Sequence, residues 1–158
     1  MDRELENTGL WIKLYLDEGF EPRVDKAIEE NGELIIELEK YKPDITKLVD
    51  EMADILMMIE SIEAIEIGFV VPEAEECEHL LEWLDCFEEE LTLLKYLPIK
   101  KKRENKDLIE AISHAKKGIS DLSKHFDIVS RVNMWKLAKT TKLREEVYKT
   151  KSRINTKS

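Results

Sequence analysis

Two amphipathic stretches on either side of Pro43 constrain this chain more than any other feature. In residues 24–39 the apolar side chains recur with helical spacing and cover about 120° of a helical wheel. Residues 45–62 repeat the pattern over about 140°. Pro43 stops the first helix, and Asp44 is well placed to cap the second. Because the turn is short, the pattern predicts two antiparallel neighbouring helices, a helical hairpin.

The remainder of the sequence predicts further helices and no convincing strand or internal repeat. The predicted helices cover residues 9–17, 22–41, 45–66, 73–96, 106–125 and 127–150. We therefore expect an all-α helical bundle built around the antiparallel helix hairpin. Residues 1–150 are expected to form a single domain, followed by a basic, frayed tail at 151–158.

Charge and composition exclude several classes of protein. The net charge is −10, and it is uneven: residues 136–158 hold eight Lys/Arg and two Glu, whereas the preceding residues hold 17 basic and 33 acidic side chains. This excess of acid argues against nucleic-acid binding. No apolar run is long enough to predict a membrane span, and no secretory signal is apparent at the N-terminus. The spacing of Cys77 and Cys86 suits neither a zinc knuckle nor a disulfide framework, so we expect a cytoplasmic protein.

The predicted hairpin carries one acidic pair on each helix. Glu33 lies at about 300° from Glu30 on the first wheel, and Asp54 lies at about 300° from Glu51 on the second. Each pair borders the apolar arc of its helix. Glu33 and Glu51 are equally distant in sequence from Lys42 in the turn, and so are Glu30 and Asp54. The hairpin is therefore expected to place both pairs at the same height along one seam.

Four carboxylates held close together repel one another unless some bind protons or a cation. Carboxylate oxygens are ligands that Mg²⁺ or Mn²⁺ prefers, with water and substrate phosphate completing the coordination. The alternative is an ordinary acidic helix face, since the chain has 35 acidic residues and ExxE patterns are common in it.

The motif residues resemble those of a known family. Residues 26–34, KAIEENGEL, and residues 51–56, EMADIL, are similar to the EExxE…ExxD signature of the all-α nucleoside triphosphate pyrophosphatases, the MazG-like and dimeric dUTPase group. The resemblance covers residues 24–60. It implies an all-helical homodimer or homotetramer that converts a nucleoside triphosphate to the monophosphate and pyrophosphate. Attack of water at the α-phosphorus would depend on Mg²⁺, with Mn²⁺ as an alternative, and dUTP is one expected substrate.

The resemblance also assigns roles to individual residues. It implies metal ligation by Glu30, Glu33, Glu51 and Asp54. Glu29 matches the leading Glu of EExxE and would orient or deprotonate the attacking water. Substrate binding is expected from Lys26, Asn133 and Lys136.

Two features of the sequence each allow two interpretations. Trp135, like Trp11 and Phe20, suits either packing in the core or stacking on a nucleobase. The main alternative to an enzyme is a non-catalytic helical interaction protein whose acidic face and basic C-terminal segment mediate assembly. Binding of Mg²⁺ or Mn²⁺ by the acidic quartet would distinguish the two.

Overall fold

The computed structural model describes residues 20–96 and 105–156. Over these residues the chain forms five α-helices and no strand, which confirms the predicted all-α class. The helices are α1 (Phe20–Glu39), α2 (Ile45–Ile62), α3 (Leu80–Tyr96), α4 (Lys106–His125) and α5 (Val129–Thr156). The helix predicted over residues 9–17 lies outside the described residues. None of the described helices is both long enough and apolar enough to cross a membrane.

The α1–α2 hairpin forms as predicted, and two carboxylates define its turn. Asp44 caps α2, since its Oδ1 accepts the backbone N–H groups of Thr46 and Lys47 at 2.9 and 3.3 Å. Glu37 is buried and closes the turn, accepting the Asp44 N–H at 2.7 Å and pairing with Lys40 at 2.8 Å. The Lys40 ammonium is the main cause that holds the pKa of Glu37 below its ordinary value. These contacts fix the position of α1 relative to α2 along the helix axes.

Helix α2 ends with a tightly anchored π-helical turn, Glu63–Ile67. Gly68 then takes a left-handed conformation at φ 91°, which glycine adopts without steric cost and which ends the helix near the predicted position. The buried Glu63 carboxylate accepts the Val71 N–H and pairs with Lys116 of α4 at 2.6 Å. Lys116 also donates to the Val71 carbonyl at 2.6 Å, so one ion pair ties the connector to α4.

The prediction of helix from residue 73 was wrong by seven residues, because α3 begins at Leu80. The preceding segment runs non-helically across α4. Ser113 Oγ donates to the Pro72 carbonyl at 2.8 Å, and the Ala74 N–H donates to the Ser113 carbonyl at 3.1 Å. Hydrogen bonds to another helix thus replace those that an earlier first turn of α3 would make.

Gly118 of α4 permits this close crossing. A Cβ at Gly118 would lie 2.9 Å from Cys77 Sγ, 2.6 Å from Leu80 Cδ1 and 3.1 Å from Leu80 Cβ. By contrast, a Cβ at Gly32 would meet nothing nearer than Glu88 Oε1 at 3.9 Å. Close approach of another segment therefore occurs at Gly118 and not at Gly32.

The buried apolar side chains of the described residues form one cluster to which all five helices contribute. Helix α1 packs on α2 and α3, α3 packs on α4, and α5 packs mainly on α2. Asn31 is fully buried and donates from Nδ2 to the Leu84 carbonyl at 2.9 Å, joining α1 to α3. Helix α5 continues to Thr156, beyond the predicted end at residue 150, and fraying of the tail stays a prediction.

Candidate functional site

Three of the four predicted metal ligands meet on the seam of the hairpin. Glu30 of α1 and Glu51 and Asp54 of α2 each offer a carboxylate oxygen, and these oxygens lie within 4.8 Å of one another. Glu30 is only 6% exposed, whereas Glu51 and Asp54 are partly buried. The converging carboxylates therefore come from both helices, as the matched heights of the two acidic pairs predict. We call these three side chains the carboxylate cluster.

Crowding and burial make the fully ionised cluster unfavourable. Burial, followed by a hydrogen bond with Glu33 and the charges of neighbouring carboxylates, raises the pKa of Glu51 to about 8. Burial also raises the pKa of Asp54 to about 6, and the charge of Glu30 adds to the effect. At neutral pH the cluster thus holds a proton that a divalent cation could replace.

Two buried oxygens of the cluster have no hydrogen-bond partner in the part of the chain that the structure describes. Among the described residues nothing donates to Glu30 Oε2 or to Glu51 Oε2. Leaving a buried acceptor unsatisfied costs about 1–3 kcal/mol, and more if it is charged, so such atoms call for an explanation. Oxygen donors that converge on one point fit a hard divalent cation.

Two lysines partly neutralise the cluster. Lys26 lies one turn before Glu30 in α1, and its Nζ is 2.9 Å from Glu30 Oε1. This hydrogen bond is the main cause that raises the pKa of Lys26. Lys139 of α5 contacts Asp54 and lies 2.6 Å from Asp50, one turn earlier in α2.

The two partners of Lys139 differ in their response to it. Burial acts to raise the pKa of both carboxyl groups, and at Asp54 it outweighs the nearby ammonium. At Asp50 the hydrogen bonds from Lys139 and Trp135 outweigh burial, so its pKa is below the ordinary value. Burial opposes the charge on Lys139, yet its two carboxylate partners raise its pKa, so the ammonium stays charged.

The structure places the other acidic motif residues at the edge of the cluster. Glu33 is exposed and close enough to Glu51 to share a hydrogen bond with it. The Glu29 side chain is 57% exposed and pairs with Lys26 at 3.6 Å. Lys26 thus bridges Glu29 and Glu30, which orients the leading Glu of the motif near the cluster without placing it among the three converging oxygens.

An open cavity of about 570 Å³ adjoins the cluster between α1, α2 and α5. Its lining combines acidic, basic and apolar side chains: Lys26, Glu30, Asp54, Met57, Met58, Lys139, Lys142, Leu143 and Glu146. The volume lies within the range of small-ligand pockets, about 300–1,000 Å³. The three lysines could hold an anionic group beside the carboxylates.

Asn133 and Lys136, the substrate-binding residues expected on the last helix, lie elsewhere. They line a second cavity of about 340 Å³ between α2, α4 and α5. There Lys136 pairs with Glu60. The structure therefore does not bring these two side chains to the carboxylate cluster, and Lys139, one turn beyond Lys136, is the α5 lysine that contacts it.

Sequence reasoning missed Lys139 and Asp50 as neighbours of the site, and it left Trp135 between core packing and stacking on a nucleobase. Trp135 Nε1 donates to Asp50 Oδ1 at 2.5 Å, and Lys139 contacts the same carboxylate. A signal was present, since Trp135 and Lys139 are four residues apart on one helix and Asp50 and Asp54 are four apart on another. Only the packing of α5 on α2 could reveal that these two pairs face each other.

Comparison with protein-family models, with curated proteins and with solved structures found no match to this chain. The family resemblance of the hairpin therefore rests on its motif residues alone.

Proposed function

We propose that this protein is a Mg²⁺-dependent nucleoside triphosphate pyrophosphohydrolase that releases pyrophosphate and the monophosphate. One observation carries the proposal: Glu30, Glu51 and Asp54 converge, and two of their buried oxygens have no hydrogen-bond partner among the described residues. The adjoining cavity supports it, because lysines from two different helices reach the same place. This combination suits a ligand that consists of a divalent cation and a polyphosphate.

Within this proposal the chain's own side chains have separate tasks. Glu30, Glu51 and Asp54 would hold Mg²⁺, with Mn²⁺ as an alternative, and Glu33 would complete the set through its contact with Glu51. The bound cation would neutralise phosphate charge and lower the pKa of a coordinated water. Glu29 would accept the proton of the attacking water from its position beside the cluster.

The phosphates are assigned to the lysine-lined cavity. Lys26 and Lys139 now pair with Glu30 and Asp54, and binding of a cation by those carboxylates would release both ammonium groups toward phosphate. Lys142 lines the same cavity and would add a third positive charge. In this assignment Lys139 takes the role that the family resemblance implied for Lys136.

Assembly as a homodimer or homotetramer is part of the proposal. Helix α5 supports it with exposed apolar side chains, Met134 at 70% and Leu137 at 51%. Exposed apolar side chains on one helix are often covered by a partner subunit. Light scattering coupled to size-exclusion chromatography measures the mass in solution directly.

The deciding experiment is pyrophosphate release from a panel of ribo- and deoxynucleoside triphosphates, with Mg²⁺ and with excess chelator. Wild type is compared with Glu30→Gln, which removes a buried ligand, and with Glu39→Gln, a control at an exposed position on the same helix. We expect Mg²⁺-dependent release by wild type and the control, and a loss of at least about 100-fold in Glu30→Gln.

Calorimetric titration with Mg²⁺ and Mn²⁺ separates binding from turnover. Absence of hydrolysis with every nucleotide, or equal activity in Glu30→Gln and Glu39→Gln, would refute the enzymatic proposal. A wild-type protein that also binds neither cation would favour the alternative of a helical interaction protein.

A further inference from the structure

The cavity between α2, α4 and α5 is separate from the proposed catalytic site and has a largely apolar lining. It shares no lining residue with the cavity beside the carboxylate cluster. Ile119 and Val132 line it and are almost fully buried, whereas Val70 and Val129 line it at 41% and 40% exposure. A ligand that covered the two valines would remove apolar surface from water, which favours binding. The volume of about 340 Å³ suits a small organic molecule.

A set of buried contacts fixes one wall of this cavity. Glu63 begins the π-helical turn, accepts the Val71 N–H and pairs with Lys116 at 2.6 Å. Lys116 also donates to the Val71 carbonyl at 2.6 Å. Short π-helical turns are rare and occur frequently at functional sites. The connector that brings Val70 and Glu73 to the cavity is thus held in place before a ligand binds, which lowers the entropic cost of binding.

The charged side chains of the cavity leave one negative charge in excess. Three carboxylates and two ammonium groups line it. Both ammonium groups are already neutralised, because Lys116 pairs with Glu63 and Lys136 pairs with Glu60. The third carboxylate belongs to Glu73, which is exposed. A ligand that enters the cavity therefore meets an apolar surface with a carboxylate at its exposed edge.

A neighbouring lysine outside the cavity does not remove this excess. The charge of Glu73 contributes to the raised pKa of Lys117, but the first cause is a hydrogen bond from Lys117 to Asp121. The Lys117 ammonium lies 2.9 Å from that Asp121 carboxylate. Lys117 is thus neutralised by a nearer partner, and the Glu73 carboxylate stays available to a cationic ligand.

We propose that this cavity binds a small aliphatic amine, whose ammonium group pairs with Glu73 and whose hydrocarbon chain covers Val70 and Val129. A phosphate or carboxylate ligand would add to the excess of negative charge. A metal ion would leave the apolar lining uncovered, and among the described residues the three carboxylates with converging oxygens belong to the carboxylate cluster. An aliphatic amine matches both the charge and the apolar lining. This site is independent of the proposed nucleotide hydrolysis.

The test compares three ligands that share one hydrocarbon chain and differ in charge: pentylamine, pentanol and pentanoate. Each is titrated into the ¹⁵N-labelled full chain at neutral pH, and binding is followed by two-dimensional NMR. We expect pentylamine to shift the amide signals of residues 70–73, 116–123 and 129–136, which contain most of the lining. Its dissociation constant should be at least about tenfold lower than those of pentanol and pentanoate.

Two substitutions separate the ionic from the apolar contribution. Glu73→Gln should weaken pentylamine binding about fivefold and leave pentanol binding unchanged. Glu75→Gln is its control, because Glu75 is exposed on the same segment and does not line the cavity. Val129→Ser should weaken pentylamine and pentanol alike, by about threefold, since it removes apolar surface without changing charge. The NMR spectra also report whether each variant is folded.

The remaining outcomes overturn the inference. Equal affinities for the three ligands, or tighter binding of pentanoate, would reject recognition of the ammonium group. Signal changes confined to other segments, or no change with pentylamine, would reject the cavity as the site. Equal losses in Glu73→Gln and Glu75→Gln would assign the effect to general surface charge. The proposed function is judged separately, because its test is pyrophosphate release by Glu30→Gln and wild type.

Discussion

Replacing Glu51 by Gln should stabilise the metal-free protein at alkaline pH and abolish its response to magnesium. Burial, a hydrogen bond with Glu33 and the charges of Glu33, Asp50 and Glu30 together raise the pKa of the Glu51 carboxyl from 4.5 to about 8. Because the folded-state pKa lies above the unfolded value, the folded state binds the proton more tightly. The stabilising contribution is complete below about pH 4.5 and is lost as the pH rises toward 8. A neutral amide at this position removes that loss.

The size of the effect follows from the same pKa. A difference from 4.5 to about 8, at about 1.4 kcal/mol for each pH unit, corresponds to roughly 5 kcal/mol for a fully buried, independent group. Glu51 keeps partial contact with solvent, and screening reduces the expected gain to about 1–2 kcal/mol. For a chain of this length the midpoint of thermal unfolding should rise by about 3–6 °C at pH 8.

Differential scanning calorimetry at pH 5 and pH 8 in excess chelator measures this gain. Glu51→Gln should melt above wild type at pH 8 and near wild type at pH 5, and Glu39→Gln controls for the loss of one negative charge. Saturating Mg²⁺ should then raise the midpoint of wild type and leave that of Glu51→Gln unchanged. A variant that melts below wild type at pH 8, or gains equally at both pH values, would show that the cluster is not a site of electrostatic repulsion.

Three further substitutions test other parts of the structure. Lys139→Gln removes the ammonium that contacts Asp54, so KM for a nucleoside triphosphate should rise about tenfold in steady-state assays, and an unchanged KM would contradict the phosphate assignment. Gly118→Ala should lower the thermal midpoint by about 2–6 °C, because the new Cβ would meet Leu80 Cδ1 at 2.6 Å. Gly32→Ala, the control, should leave the midpoint unchanged or raise it. Equal effects of the two substitutions would refute the close crossing at Gly118. Lys116→Met leaves a buried carboxylate at the π-helical turn without its ammonium, which should cost about 3–5 kcal/mol in urea unfolding, and a loss below about 1 kcal/mol would show that the pair is not required.

Local signals were sufficient for most of the helices. Helix α4 spans Lys106–His125, as its apolar spacing predicted, and Asp44 caps α2 through the expected hydrogen bonds. The equal sequence distances of the acidic pairs from the turn also predicted that Glu30, Glu51 and Asp54 lie close together. These features depend on periodicity and sequence distance, which a single sequence contains.

The errors arose where contacts between distant segments decide the structure. Residues 73–79 have a composition compatible with helix, yet Ser113 holds the chain beside Pro72 and Ala74 in a non-helical path. Lys136 and Lys139 are three residues apart on α5, so they point in neighbouring directions around that helix. Only the rotation of α5 against α2 decides that Lys139 reaches Asp54 while Lys136 pairs with Glu60.

Under the proposed function, the lysines that pair with the carboxylate cluster would also influence which charge of cation it binds. Lys26 and Lys139 already supply unit positive charges to Glu30 and Asp54. A sodium or potassium ion that entered the cluster would exchange one unit charge for another and gain little free energy. A divalent ion would concentrate two charges at one point and set both ammonium groups free, so under the proposed function the cluster would favour divalent ions over the abundant monovalent ones.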